Sequence, residues 1–224
     1  MIPKIIHRLW INPPGPPMPA EFKEYGRRWK ELHPGWEVRD WESIDELYPL
    51  DNQRYYDRAS QYAIVRRDNG QPDIHRFRSS MTRLEIMNRI GGVYIDADTE
   101  PLKPIDELIE GAEVVLAYSV NTRRNGDRVV SDSFFASVPG HPFFELSVAR
   151  IPESAEKYRW KHTAVNVGPY HTQRLLDEFP DWRGLKILEP WVLYPQSIID
   201  RNRGLVPDLS RAYAWHKWAN TRRS

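Results

Sequence analysis

The sequence predicts an α/β fold, on three observations. The first forty residues read as strand, helix, strand. A long amphipathic helix over residues 77–90 ends in a glycine pair and passes straight into an apolar strand. That strand in turn leaves through an acidic turn. No internal repeat, linker or low-complexity stretch interrupts the chain, so residues 1–224 are expected to form a single domain.

Lys4 to Trp10 alternates and is β-branched, which predicts a first strand, closed by the breaker-rich loop Asn12-Pro13-Pro14-Gly15-Pro16-Pro17. A helix is expected over Ala20–Leu32, where Phe22, Tyr25 and Trp29 recur at helical spacing before His33-Pro34-Gly35 stops it. Trp36 to Arg39 reads as a short strand, and 40–69 as helical or irregular. Phe77, Met81, Leu84, Met87 and Ile90 then recur at steps of three or four, one apolar stripe that Gly91-Gly92 terminates. Val93-Tyr94-Ile95 follows as a strand whose exit is Asp96-Ala97-Asp98, with Pro101 and Pro104 expected to prevent either element from continuing. Further strands are predicted at 114–118, 133–136 and 185–188, and helices at 142–149 and 169–179.

Composition narrows the function classes. Lys plus Arg, 32, nearly cancel Asp plus Glu, 31, so bulk charge attracts neither nucleic acid nor an anionic membrane. The pairs Arg66-Arg67, Arg123-Arg124 and Arg222-Arg223 read as solvated surface, the last also as a contact for phosphates or an anionic acceptor. There is no cysteine, which excludes disulfide scaffolds, thiolate zinc sites and cysteine nucleophiles and leaves oxygen and imidazole for any metal. The N-terminal apolar run is broken by charge at Lys4 and Arg8, unlike a signal peptide or membrane span, and the expected location is cytoplasmic.

Two carboxylates separated by one residue at a strand exit can both reach a hard divalent cation, because leaving the extended conformation turns both side chains toward one cavity. An isolated D-x-D is as readily a solvated acidic turn. Here a buried strand places it, a helix delivers Arg83 beside it, and in open α/β sheets ligands gather at the carboxyl ends of strands. Glu100 reads equally as a third metal carboxylate or a solvated turn residue.

Arg83 followed by Gly91-Gly92-Val93-Tyr94-Ile95-Asp96-Ala97-Asp98-Thr99-Glu100-Pro101-Leu102-Lys103-Pro104 resembles the DXD region of glycosyltransferase family 32, the mannosyltransferase-like sugar transferases. It is more distantly similar to the glucosylating domains of clostridial toxins. Ile2 to Ile11 resembles that family's opening strand, Val138 to Pro142 its Pro-Gly-His-Pro turn, Val167-Gly168-Pro169 a helix start, and Ala214 to Thr221 its His-His-Trp segment. The resemblance implies a GT-A type nucleotide-diphospho-sugar transferase fold, a Rossmann-like mixed sheet flanked by helices. It further implies a metal-dependent, retaining hexosyltransferase using a UDP- or GDP-sugar donor and Mn²⁺ or Mg²⁺, with a carbohydrate, lipid-linked or protein acceptor.

By the same resemblance, Asp98, Asp96 and His216 are the metal residues. Trp10 stacks on the base with Leu9 beside it, Arg83 holds the sugar or diphosphate, and Thr221 lies near the diphosphate. Asp96, Asp98, Arg83 and Asp132 are the catalytic candidates. Three positions depart from the family pattern: Ser80 replaces an Asp that binds a donor-sugar hydroxyl, Asp132 stands where Asn is common, or Ser133 if the register slips by one, and Arg222 stands where Trp is usual. Two rivals follow from these departures and from the bare acidic pair: a nucleotide-sugar binding module without turnover, and a metal-dependent phosphoryl-transfer enzyme. The second is weakened by the lack of a Gly-rich phosphate loop.

Overall fold

The computed structural model describes residues 1–11, 17–66, 70–122 and 126–219. Thr221, Arg222 and most of the proline loop lie outside the described residues. The described residues contain the strands β1 (Ile5–Leu9), β2 (Glu37–Trp41), β3 (Gly92–Ile95), β4 (Thr99–Pro101), β5 (Val114–Thr122), β6 (Arg128–Ser137), β7 (Leu185–Leu188) and β8 (Ala214–His216). The α-helices are α1 (Ala20–Leu32), α2 (Gln53–Asp57), α3 (Ile74–Arg89), α4 (Asp106–Ile109), α5 (Pro142–Ala149), α6 (Ile151–Lys157), α7 (Thr163–Asn166), α8 (Pro169–Glu178) and α9 (Ile198–Asn202).

Six strands form one mixed sheet in the order β2-β1-β3-β6-β5-β7. β1 runs parallel to β2 and β3, β6 is antiparallel to β3 and β5, and β7 is parallel to β5. Side chains alternate between its two faces. Tyr94 and Phe135 enter the core beneath α3, α5 and α8, whereas Val93, Ile95 and Phe134 enter a second core with Trp29 and Leu193. This is the sandwich of helices and mixed sheet that the sequence predicts, and no helix among the described residues is long and apolar enough to cross a membrane.

The helix-to-strand junction before the acidic turn depends on Gly91. Its φ is +69°, and a Cβ there would lie 2.6 Å from the Ser137 carbonyl oxygen. α3 therefore stops at the edge of the sheet and β3 enters between β1 and β6 without a spacer. His7 fills the neighbouring space: its Nε2 donates to the Gly91 carbonyl at 3.0 Å and its Nδ1 accepts from Trp41 Nε1 at 3.1 Å. Burial lowers its pKa to about 4, which keeps this neutral tautomer in place.

The described part of residues 40–69 is helical and irregular as read, with α2 between two 3₁₀ turns, and one expectation changes. The segment after the acidic turn, read as interrupted by prolines, contains β4, which pairs antiparallel with β8 in a separate two-stranded sheet. Pro101 is tolerated because it ends its strand and this ladder has no third member. The register Thr99 opposite His216 brings the distant C-terminal segment beside the acidic turn.

Candidate active site

The acidic turn is built from buried backbone. Asp96 N–H continues the β3–β6 ladder by donating to the Ser133 carbonyl at 3.1 Å, and Thr99 N–H donates back to the Asp96 carbonyl at 3.0 Å. Residues 96–99 thus form a β-turn in which both carboxylates leave on the cleft side. Two side chains hold its outer carbonyls. Arg8, wholly buried on β1, reaches the Ala97 oxygen at 3.4 Å, and Trp29 Nε1 donates to the Thr99 oxygen at 3.1 Å. Arg8 is charge-paired with Asp40 at 3.2 Å and also donates to the Phe22 carbonyl.

His216 arrives from β8, its backbone N–H tied to the Leu193 carbonyl at 3.1 Å. Its Nε2 lies 3.4 Å from Asp96 Oδ2 and 3.3 Å from Asp98 Oδ1. The tail beyond it closes over Asp98: Lys217 N–H donates to the Asp98 carbonyl at 3.1 Å and Ala219 N–H to Asp98 Oδ2 at 2.8 Å. Trp218 packs edge-on against the imidazole at 4.5 Å, and Tyr194 packs against both rings. Although burial lowers the pKa of His216, Asp98 and Asp96 outweigh it and the imidazole's pKa is raised, so a positive charge already suits this position. One oxygen from each carboxylate and one imidazole nitrogen lie within 4.8 Å of one another, a donor set suited to Mn²⁺ or Mg²⁺.

Arg83 supplies the second charge. It projects from α3 with Nη1 3.3 Å from Asp96 Oδ1 and 3.6 Å from Asp132 Oδ2, donates also to the Asp132 carbonyl, and lies 4.8 Å over the Tyr94 ring. Tyr94 Oη donates to Asp96 Oδ1 at 2.5 Å. Burial raises the pKa of Asp96, but Arg83 and His216 more than reverse this and hold it at about 2. Asp132 behaves oppositely: burial raises its pKa, and Arg83 only partly counters that while Asp96 adds to it. Two carboxylates flanking one guanidinium are therefore pushed in opposite directions.

These groups line a cleft of about 1200 Å³ with Leu9, Trp10 and Ser80 on its walls. Leu9 is buried, and Trp10 is half-buried with its ring edge-on to Phe22 at 5.7 Å. Ser80 is buried on the same side of α3 as Arg83. Asp132 rather than Ser133 meets Arg83; Ser133 Oγ instead bonds Ser131 Oγ at 2.8 Å and Tyr194 Oη at 3.0 Å. Glu100 is part-buried and pairs with Arg28 at 2.5 Å and Lys217 at 2.6 Å, outside the Asp96–Asp98–His216 cluster. Arg66, read as solvated surface, lines the cleft.

The sequence reading missed Arg8, Trp29, Tyr94, Tyr194 and Trp218 as parts of the site. A signal existed for Arg8. Gly26 sits in mid-helix with no turn to explain it, and a Cβ there would lie 1.7 Å from Arg8 Nη1, so the glycine makes room for the buried guanidinium.

Comparison with known proteins bears on the fold and on the segment that holds the acidic turn. Residues 19–115 match the family described as "Glycosyltransferase sugar-binding region containing DXD motif". The chain is 23% identical over 223 residues to inositol phosphoceramide mannosyltransferase 3 of Schizosaccharomyces pombe, covering 96% of this chain and 56% of that protein. It is 28% identical over 207 residues to a mannosyl phosphorylinositol ceramide synthase of Saccharomyces cerevisiae, covering 85% and 47%. The chain thus spans about half the length of the curated relatives it matches. The PaToxG glycosyltransferase superposes with a TM-score of 0.56 at 16% identity, over 80% of this chain and 70% of that one, which establishes the fold. Residues 19–115 are therefore similar to a DXD-containing glycosyltransferase sugar-binding region, and the chain carries a GT-A fold.

Proposed function

We propose that the chain is a metal-dependent, retaining hexosyltransferase that uses a UDP- or GDP-sugar. The observation that carries this reading is the convergence of Asp96, Asp98 and His216 beside Arg83 at the floor of one large cleft. The relatives' printed names support transfer of a hexose.

Asp98, Asp96 and His216 would hold Mn²⁺ or Mg²⁺, which when bound supplies neutralisation of the charge gathering on a departing diphosphate. Arg83 presents directed donors to the sugar or its phosphate, and its grip on Asp96 fixes that carboxylate's orientation. Trp10 offers a face for the base, a contact of roughly 1 to 3 kcal/mol by analogy with other base–aromatic stacks, and Leu9 borders it. Thr221 belongs to the same reading as a diphosphate contact. Ser80 places a hydroxyl where a carboxylate would read a sugar hydroxyl, so donor preference should differ from that of a chain with Asp there. Asp132, with its raised proton affinity, is the carboxylate suited to receive the acceptor's proton or to steady positive charge at the anomeric carbon.

The test is release of UDP or GDP from a panel of nucleotide hexoses with and without Mn²⁺, followed by stereochemical analysis of the transferred sugar. Cation-dependent release with retained configuration is expected. Saturable donor binding without release would instead support a binding module, and phosphoester cleavage without sugar transfer a phosphoryl-transfer enzyme.

A further inference from the structure

Among the described residues, two that are not glycine hold a left-handed backbone, and both are tryptophans: Trp218 at φ +55° and Trp160 at φ +61°. A bulky side chain is disfavoured there, and glycine or asparagine is the usual choice. Trp218 has a visible use, since it lines the cleft and packs on His216. Trp160, between α6 and α7, lies beyond the residues that line the cleft and is 62% exposed, so burial in the core does not account for it. A side chain kept against backbone preference, and kept in solvent, points to a contact made outside the fold.

Its place is the rim of the cleft. Trp160 N–H donates to the Tyr62 carbonyl at 3.1 Å, and both chain segments pass within four residues into the cleft wall, one at Ile64 and Val65, the other at Thr163 and Ala164. Arg159 sets the ring: its Nε donates to the Gln61 carbonyl at 2.9 Å, and its guanidinium lies over the Tyr62 ring at 5.1 Å and over the Trp160 ring at 5.0 Å. The indole is therefore held in one orientation before any ligand arrives. Its exposed neighbours Gln61, Lys161 and His162 are polar. A lone flat ring among hydrogen-bonding side chains suits a pyranose, which has an apolar C–H face and a hydroxylated edge, whereas a lipid surface or a protein partner calls for a contiguous apolar patch.

We infer that Trp160 is the stacking platform of a carbohydrate subsite on the cleft rim, so that the acceptor is an oligosaccharide with at least one sugar residue beyond the one that reacts. The word acceptor rests on the transferase reading above; the carbohydrate subsite does not. Trp160 stands three residues, at most about 10 Å of chain, from Thr163. A Cβ on Gly168 would lie 2.9 Å from the Thr163 carbonyl oxygen and 3.2 Å from Asp132 Oδ2. The platform thus belongs to the same wall as Asp132 while standing outside the reacting centre.

The full chain is applied to an array of linear and branched hexose oligosaccharides, and the glycan retained most strongly is titrated by calorimetry into the chain and into Trp160→Phe, Trp160→Leu, Trp160→Ala, Trp160→Gly and Asp98→Asn. The oligosaccharide should bind more tightly than its monosaccharide. Trp160→Ala, Trp160→Gly and Trp160→Leu should each weaken binding about tenfold or more, Trp160→Phe should recover part of it, and Asp98→Asn should leave it intact. Trp160→Gly should melt no lower than the parent, because glycine accepts the left-handed backbone. In transfer assays Trp160→Ala should raise the acceptor KM and leave kcat and the donor KM unchanged. The subsite is overturned if the folded chain retains no glycan, if Trp160→Ala binds as tightly as the parent, or if Trp160→Leu binds as well as Trp160→Phe, which would make the contact merely apolar. A fall in the melting temperature of Trp160→Gly as large as that of a core truncation would also overturn it, by making Trp160 a packing residue. Intact oligosaccharide binding in a protein that turns over no donor would remove the transferase reading and leave the subsite standing.

Discussion

The two halves of the candidate site are held in different ways. Asp96 and Asp98 stand on the turn that leaves β3, Arg83 on α3 and Asp132 on β6, elements whose apolar side chains are buried in the two cores. His216 and Trp218 stand on a strap of a three-residue strand and a tail. That strap is fixed by short ladder pairing, by Trp218 Nε1 donating to the Gln196 carbonyl at 2.9 Å, and by Arg201 donating to the Lys217 and Trp218 carbonyls. The first half is preformed by hydrophobic burial. The second has a smaller apolar anchor, Ala214 with Trp218 against the second core, and adds part-buried polar contacts of the kind that local opening draws on. Cation affinity should therefore be set by both halves, and fold stability mainly by the first.

The largest expected effect lies at the point where the halves meet. Asp98→Asn removes a charge from the cluster while keeping shape, and should lower sugar transfer on the order of 10³-fold with an unchanged melting temperature. Comparable turnover in the folded variant would remove Asp98 from the chemistry.

A stability effect should appear on the buried half alone. Glu85 on α3 is fully buried, faces Arg89 at 3.3 Å and accepts from Asn52 N–H at 3.3 Å, and burial raises its pKa to about 7 from an ordinary 4.5. A carboxyl whose folded pKa exceeds its unfolded value favours the folded state fully below about pH 4.5. That contribution is lost as pH rises through about 7. Glu85→Gln should thus gain stability relative to the parent between pH 5 and 8, by about 3 kcal/mol at most. Thermal melts across that range check it, and parallel curves would show that Glu85 titrates normally.

Loosening the strap should produce the converse. Arg201→Ala should raise the donor KM about tenfold with little change in melting temperature, because the contacts it loses tie the strap and not the core. A loss of stability as large as that from a core truncation would erase the distinction between the halves. Smallest of all, Trp29→Phe keeps the aromatic body but loses the bond to the Thr99 carbonyl. It should cost about 1 kcal/mol of stability and a few-fold in donor KM, measured by denaturant unfolding and initial rates.

The same contrast explains what was legible in the sequence. α3, Gly91 and β3 announce themselves because an apolar stripe, a positive-φ stop and a buried strand each leave a local pattern. α1 and α5 were readable to the residue for the same reason. The strap leaves none: Ala214-Trp215-His216 has no period, and its register with Thr99 is decided by a partner more than a hundred residues away. Resemblance to a family, not periodicity, pointed to His216. Arg8 was invisible for a third reason, since a charge on a predicted strand reads as solvated until its cavity beside Gly26 and its partner Asp40 are seen together.

On the proposed reading the two halves of the site share one divalent cation, and calorimetric titration of Mn²⁺ into the metal-free chain, Asp98→Asn and His216→Gln measures this. One Mn²⁺ per chain is expected, bound more weakly by both variants; equal affinity in all three proteins would show that the halves do not share a cation.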